Sequence, residues 1–262
     1  MHAWRVAAAS AIGTSHVASG AKCQDAHDFG VFDASGEQTL ILVVSDGAGS
    51  ARHSDAGAQC AVFTVRREIE TYFDRSGTFD KLTREVAASW LDRVQQALRD
   101  EADRSGEPLK EFACTLLFAI IGDEHAAFFQ IGDGAIVACE GIADGFSYVF
   151  WPQHGEFANT TNFVISNDAY DVFEFEVSLR PKLKEVAIFS DGLENLLLHH
   201  ATKTVHEAFF STMFQPVRAC KSIDESRQLT PDLERYLKSP KVCDRTDDDK
   251  SLILATRMPA ET

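Results

Sequence analysis

Three short segments of the sequence place an aspartate beside glycine at the end of an apolar run. Asp46 and Asp191 each follow an apolar run and a serine and precede a glycine, and Asp133 stands between two glycines after residues 126–131. A strand buried on both faces holds its last residue at a fixed point, and glycine lets the chain turn away tightly. A lone Asp-Gly pair indicates only an ordinary turn, but turn chemistry alone explains three of them poorly.

Carboxylates that converge in one cleft indicate a site for hard divalent cations. Asp25 and Asp248 extend the set, and in a sandwich of two sheets such strand ends can meet on one side. Several carboxylates in one cleft repel one another unless cations lie between them, and oxygen ligands favour Mg²⁺ or Mn²⁺ over zinc or copper. Two such ions about 3.5–4 Å apart would acidify a water between them and hold a phosphoryl group. The residues therefore predict hydrolysis of a phosphate ester.

No competing catalytic apparatus is clear in the sequence. It contains no Gly-x-Ser-x-Gly segment and no phosphate-binding loop that ends in Gly-Lys-Ser or Gly-Lys-Thr. Cys23 lies two residues from Asp25, whose negative charge would raise the pKa of the thiol. A thiolate nucleophile is therefore not expected.

Composition excludes several classes of function. The formal net charge of −15 over 262 residues argues against non-specific nucleic-acid binding and against docking to anionic lipid. The six cysteines form no Cys-x-x-Cys pair, which argues against a thiolate zinc site and favours small buried residues in a reducing cytosol. No apolar run approaches the roughly 18 residues that span a bilayer, and the apolar start of the chain is interpreted as a strand rather than a signal peptide. We expect a cytoplasmic protein.

Hydrophobic periodicity predicts the elements that position the aspartates. The predicted strands cover 4–12, 29–32, 40–45, 112–121, 126–131, 135–139, 147–151, 160–165, 172–177, 185–190 and 251–256. The predicted helices cover 58–72, 82–98, 193–197 with 208–214, and 231–237, while residues 13–22 are predicted to form a loop. Because the helices come in pairs and do not alternate with strands, a doubly wound parallel sheet is excluded. The expected fold is α+β, a four-layer α/β/β/α sandwich of two antiparallel sheets flanked by paired helices, with residues 1–262 in one domain.

These motifs resemble, in order, those of a known family, the metal-dependent protein serine/threonine phosphatases of type 2C (the PPM class). Each motif alone is weak, but six in the family's order along nearly the whole chain form a specific signal. The motifs are Cys23-Gln24-Asp25-Ala26, Asp46-Gly47-Ala48-Gly49-Ser50, Cys114-Thr115-Leu116, Ile131-Gly132-Asp133-Gly134-Ala135, Phe189-Ser190-Asp191-Gly192-Leu193 and Asp248-Asp249-Lys250-Ser251-Leu252. The opening Gly13-Thr14-Ser15-His16 together with the first motif is most similar to a bacterial subgroup.

The resemblance implies a role for each acidic position. Asp46 would bridge two Mg²⁺ or Mn²⁺ ions, and the Gly47 carbonyl would ligate one of them. Asp191 and Asp248 would complete the other site. Asp133, with Asp191, would form a weaker third metal site of the kind seen in bacterial members. Asp25 would act in catalysis without ligating a metal, by holding a metal-bound water.

The chain departs from the family pattern at the substrate phosphate. Many members carry an arginine five residues before the aspartate of the first motif, and here that position is Gly20. Lys22, His16 and Arg52 are the candidates to replace it. For His16 the alternative is a loop histidine that caps backbone groups.

Other departures concern the rim of the site. The second glycine pair of the bridging motif is Gly49-Ser50, and the flap region, residues 151–171, does not follow the usual pattern. Asp247 and Asp249 are interpreted as solvated charges that flank the ligand Asp248.

The leading hypothesis is a phosphoprotein phosphatase of a bacterial cytoplasm, with two or three Mg²⁺ or Mn²⁺ ions, that opposes a serine/threonine kinase and acts on the kinase or its targets. An alternative is a non-catalytic phosphoprotein-binding module on the same fold, because the usual arginine is missing. A third reading is a metal-dependent hydrolase of small phosphoesters, because the flap is unusual.

Overall fold

Two five-stranded antiparallel sheets form the centre of the molecule. The computed structural model describes residues 2–34, 37–75, 77–141, 145–153, 161–181 and 183–259. In these ranges the strands are β1 (His2–Ala11), β2 (Ala26–Ala34), β3 (Glu37–Ser45), β4 (Leu116–Ile121), β5 (His125–Ile131), β6 (Ala135–Cys139), β7 (Ser147–Tyr148), β8 (Glu174–Leu179), β9 (Glu185–Phe189), β10 (Leu198–His199), β11 (Thr204–Val205) and β12 (Lys250–Pro259). One sheet has the order β1-β12-β9-β6-β7 and the other β2-β3-β4-β5-β8, while β10 and β11 pair separately.

The two sheets pack face to face because their central strands are apolar on both faces. On β3 the residues alternate: Leu40, Leu42 and Val44 pack against the other sheet, while Ile41 and Val43 face the helices. All five side chains are fully buried. Such a doubly covered strand is fixed in register and direction, so its end is a rigid platform.

Helices cover the outer face of each sheet. They are α1 (Thr14–Ser19), α2 (Ser54–Asp74), α3 (Arg84–Ser105), α4 (Ala169–Val172), α5 (Glu194–Leu197), α6 (Glu207–Ala219), α7 (Ile223–Arg227), α8 (Thr230–Leu237) and α9 (Pro240–Cys243). The pair α2 and α3 buries its apolar stripes on the β3 sheet, and α6 and α8 bury theirs on the β12 sheet. The predicted four-layer sandwich is confirmed. None of the helices described has the length and apolar composition needed to cross a membrane.

Two local predictions are wrong and one lies partly outside the described residues. Residues 13–22, predicted as a loop, contain α1, which ends at Gly20 in the left-handed conformation (φ 71°). Residues 161–165, predicted as part of a strand, form no strand and run into a turn before α4. Both segments are held by contacts to distant parts of the chain, which no local pattern shows: Ser15 N–H donates to Asp247 O, and Val164 N–H to Cys114 O. Within the predicted flap, residues 154–160 lie outside the described residues.

Candidate metal centre

The ends of three strand segments bring three carboxylates together. One oxygen each from Asp46, Asp133 and Asp191 lies within 4.8 Å of the other two; these three residues are called the carboxylate cluster below. Asp46 follows β3 of one sheet, Asp191 follows β9 of the other, and Asp133 lies in the turn that connects β5 to β6 and so joins the sheets. The cluster therefore lies where the ends of both sheets meet.

An open cavity of about 470 Å³ contains the cluster. Gly47 and Asp248 also line it, together with Thr115, Thr161 and Phe163. All five residues that the sequence suggests as metal ligands thus surround one cavity. Their binding of metal stays a prediction.

The backbone on both sides of Asp46 is clamped to the neighbouring strand. Its N–H donates to Thr115 Oγ1 at 2.9 Å, and Thr115 N–H donates back to Asp46 O at 2.8 Å. Ser45 Oγ donates to Thr115 O at 2.6 Å. A Cβ atom on Gly47 would lie 2.7 Å from Ser54 and 2.8 Å from Gln24 O, closer than real contacts allow. Glycine is therefore required for this turn, which explains the Asp-Gly sequence physically.

Asp25 is buried directly behind the cluster. Its Oδ2 accepts a 2.6 Å hydrogen bond from Ser190 Oγ, which itself accepts from Ser251 N–H at 2.9 Å. Its Oδ1 is buried and has no hydrogen-bond donor among the described residues. Burial raises the pKa of Asp25 to about 6, although the hydrogen bond from Ser190 opposes this shift. A buried carboxylate oxygen without a donor fits a role in holding a water or ion.

The electrostatics of the cluster are unfavourable unless a cation neutralises it. Burial, followed by the charges of Asp25 and Asp191, raises the pKa of Asp46 well above its ordinary value. Burial and then the charge of Asp133 raise the pKa of Asp191 to about 7. Crowded carboxylates of this kind cannot all be ionised near neutral pH without a counter-charge. An oxygen-only donor set fits Mg²⁺ or Mn²⁺.

Glu194 is a further acidic residue at this site that the sequence reasoning missed. It is 7% exposed at the start of α5, and burial, then the charges of Asp133 and Asp191, raise its pKa to about 8. Its Oε1 lies 3.5 Å from Nε2 of His200. The available signal was its position three residues after Asp191, but an acidic residue in a first helical turn is typical of ordinary capping.

Asp249, interpreted above as a solvated charge, is a buried structural residue, and this corrects the sequence-based reading. It is 1% exposed. Its Oδ1 accepts from Gly13 N–H at 2.6 Å, and its Oδ2 accepts from Gln24 N–H at 2.5 Å and lies 2.9 Å from His16 Nδ1. We call these four residues the Asp249 anchor. The anchor fastens both ends of the segment that carries α1. Asp247, by contrast, is exposed.

The three candidates for the substrate phosphate have other partners. His16 belongs to the Asp249 anchor and contacts a carboxylate side chain, so it does not act as a cap of backbone groups. Lys22 is 85% exposed and lies 3.3 Å from Asp55, and Arg52 lies 3.7 Å from Glu111.

None of these three is among the described residues that line the cavity. Gly20, at the position where many relatives carry arginine, is the left-handed end of α1, and its N–H donates to Val17 O at 3.3 Å. The residue that contacts a substrate phosphate stays a prediction.

Comparison with known sequences shows which protein family this chain matches. The family model described as "Protein phosphatase 2C" matches residues 12–238, a range that includes the carboxylate cluster and ends before Asp248. The chain is 34% identical over 256 residues to serine/threonine-protein phosphatase 3 of Escherichia coli K12, covering 96% of this chain and 98% of that protein.

Comparison with solved structures shows the same fold at low sequence identity. The catalytic domain of the serine/threonine protein phosphatase PstP, solved with two manganese ions, matches with a TM-score of 0.62 and 13% identity over 99% of this chain and 100% of that chain. The serine/threonine phosphatase Stp1 of Staphylococcus aureus matches with a TM-score of 0.60 and 14% identity over 97% and 95%.

Proposed function

Because the chain belongs to the protein phosphatase 2C family and is a serine/threonine phosphatase of that family, we propose that it hydrolyses phosphoserine and phosphothreonine esters of proteins with the help of two Mg²⁺ or Mn²⁺ ions. One observation carries this proposal: the oxygens of Asp46, Asp133 and Asp191 lie within 4.8 Å of one another in a cavity open to a substrate. The two manganese ions of PstP support the metal count.

The proposed ligand roles are those that the resemblance to the family implies, and the side chains that surround the cavity support them. Asp46 would contact both ions, and the Gly47 carbonyl would ligate one of them. Asp191 and Asp248 line the same cavity and would complete the second site. Asp133 would hold a third, weaker ion together with Asp191. When bound, the ions supply positive charge for the phosphoryl oxygens and an acidified water for attack on phosphorus.

The chain itself orients and holds these groups. The rigid ends of β3 and β9 fix Asp46 and Asp191, so no reorganisation is needed when negative charge develops on the substrate. Asp25 Oδ1 is buried and has no donor among the described residues, and it would accept a hydrogen bond from a water at the metal centre. The hydrogen bond from Ser190 to Oδ2 fixes the orientation of this carboxylate.

The substrate is a phosphoprotein, and the partner in the cell would be a serine/threonine kinase or its target. The name of the E. coli relative, a serine/threonine-protein phosphatase, supports this class of substrate. We propose that the protein acts in the bacterial cytoplasm, because its six cysteines are scattered along the chain without close pairs, as is typical of small buried residues in a reducing compartment.

The test is hydrolysis of a phosphothreonine peptide and of p-nitrophenyl phosphate with Mn²⁺, with Mg²⁺ and with chelator. We expect metal-dependent turnover that Asp46→Asn lowers by about 10²-fold or more, because this side chain would contact both ions. Asp247→Asn is the matched control: it removes an exposed acidic side chain one residue from Asp248 and is expected to retain activity.

Three results would contradict the proposal. A loss of much less than tenfold in Asp46→Asn would exclude the bridging role. Tight binding of the phosphopeptide without turnover at saturating Mn²⁺ would indicate a binding module. Turnover of free nucleotides far above that of the phosphopeptide would indicate a hydrolase of small phosphoesters.

A further inference from the structure

A groove lies in the helical layer over the β12 sheet and has a volume of about 610 Å³. It is larger than the cavity that contains the carboxylate cluster, which has a volume of about 470 Å³ and is called the metal cavity below because of its proposed function. Its apolar wall consists of half-buried side chains from α5, α6 and α8, namely Leu196, Phe209, Met213 and Tyr236. We call it the helical groove.

The apolar wall continues into a second depression. Met213 and Tyr236 also line a neighbouring cavity of about 230 Å³, with Leu229 and Leu233 on its far side. A volume of this size fits one or two aliphatic side chains. The surface therefore suits an occupant with an apolar residue rather than a fully polar ligand.

The other wall of the groove is positively charged. Lys241 and Arg245 line it and are exposed, and neither forms an ion pair with any residue in the described part of the chain. One carboxylate, Asp244, accompanies them. In a chain with a net charge of −15, two unpaired cations beside one apolar wall form a locally distinct surface that is complementary to acidic residues.

Each wall of the groove contains a residue that is close in sequence to a residue of the cavity that contains the carboxylate cluster. Arg245 is three residues from Asp248, and Leu196 is five residues from Asp191. Since a chain spans at most about 3.5 Å per residue, the Cα atoms of these pairs lie within about 11 Å and about 18 Å of each other. An extended peptide covers that separation with roughly three to five residues.

We propose that the helical groove binds the segment of the phosphoprotein substrate that lies three to five residues from the phosphorylated residue, and that this segment carries an aliphatic side chain and acidic residues. This inference rests on the proposed phosphatase function. The aliphatic side chain packs on Met213 and Tyr236, and the acidic residues pair with Lys241 and Arg245. The groove thereby selects phosphoproteins, while the metal cavity performs the reaction.

The experiment compares two phosphothreonine peptides of equal length. In one, leucine and glutamates occupy positions three to five on both sides of the phosphothreonine, and in the other, glycine and serine occupy them. We expect wild type to prefer the first peptide by about tenfold in kcat/KM, mostly through KM, because two rim charges and one apolar contact contribute. Lys241→Glu/Arg245→Glu should reduce this preference to about twofold or less, because only the apolar contact remains, and should leave hydrolysis of p-nitrophenyl phosphate unchanged.

Lys81→Glu/Arg93→Glu is the matched control. It changes the net charge equally, but both residues belong to a different cavity, beside α3 on the opposite helical layer. A preference that stays near tenfold in the groove variant, or that both variants lose equally, would overturn the proposal. So would a groove variant that changes only the oligomeric state, because the groove would then be a contact between copies of this chain.

Failure of the proposed phosphatase function can be distinguished from failure of the groove proposal. If wild type hydrolysed neither peptide nor p-nitrophenyl phosphate, fluorescence anisotropy of the same labelled peptides would still measure binding to the groove. Weaker binding of the leucine–glutamate peptide by Lys241→Glu/Arg245→Glu alone would support the groove, and equal binding by all three proteins would overturn it.

Discussion

The carboxylate cluster and the single carboxylate of the Asp249 anchor lie near each other in the fold, and their surroundings are opposite. In the carboxylate cluster, Asp46 and Asp191 face other carboxylates, and their pKa values are raised. In the Asp249 anchor, a single carboxylate receives two backbone N–H groups and faces a histidine ring. Burial of an aspartate therefore does not identify a ligand. Its neighbours are more informative, because a carboxylate that receives backbone N–H groups stabilises the fold, whereas crowded carboxylates repel one another until a proton or a cation lowers their charge.

Removal of the anchor should have the largest effect on stability. We expect Asp249→Ala to lower the free energy of unfolding by about 3 kcal/mol, because Gly13 N–H and Gln24 N–H would lose their buried acceptor. For a chain of this size the melting temperature should fall by roughly 10 °C. Urea unfolding in the presence of chelator measures the change. The neighbouring exposed Asp247→Ala should stay within about 0.5 kcal/mol of wild type, and equal losses in the two variants would contradict the structural role of Asp249.

Removal of one carboxylate from the cluster should increase the stability of the fold when metal is absent, in contrast to removal of Asp249. Burial and the charge of Asp133 raise the pKa of Asp191 from its ordinary value of 3.8 to about 7 in the folded state. Between these values the folded state binds the extra proton, so stability falls as pH rises through this window. In chelator we therefore expect wild type to melt at lower temperature at pH 8 than at pH 5.

Asp191→Asn should reduce this fall and melt a few degrees above wild type at pH 8. Scanning calorimetry from pH 5 to 8, with chelator and with Mn²⁺, measures both effects. Mn²⁺ should raise the melting temperature of wild type more than that of the variant, and more at pH 8 than at pH 5, since protons compete with the metal. A variant that is less stable than wild type in chelator at pH 8 would show that the cluster is satisfied without a cation.

The smallest effects are expected at the exposed cations near these two regions. Lys22 and Arg52 have carboxylate partners outside the cavity, so Lys22→Ala and Arg52→Ala should change KM for p-nitrophenyl phosphate by about twofold or less. Steady-state kinetics at fixed ionic strength measures this. An increase in KM above tenfold for either variant, with kcat retained, would restore that residue as a contact of the substrate phosphate.

Much of the fold follows from patterns within single segments. The alternating and continuous apolar runs around Val43 and Ile188 indicate doubly covered strands, and the stripe through Val65 and Ile69 indicates α2, which the structure confirms. These signals are local: each depends on residues a few positions apart. The segment of α1 is the exception, since it is short and exposed and its position depends on contacts to Asp247 and Asp249.

The sequence by itself determined which residue types could form the site. Three aspartates beside glycines at the ends of buried strands predicted Asp46, Asp133 and Asp191, because a strand end followed by a glycine turn is visible within a few residues of sequence. At Gly47 a Cβ atom would collide with Ser54, so the turn requires glycine. Only the tertiary structure decided what each carboxylate meets. Gly13 and Asp249 lie 236 positions apart, and whether a carboxylate lies among N–H donors or among other carboxylates depends on how the two sheets align their ends. Asp248 and Asp249 are two aspartates in succession, yet the fold exposes Asp248 to the cavity of the carboxylate cluster and buries Asp249 in the anchor.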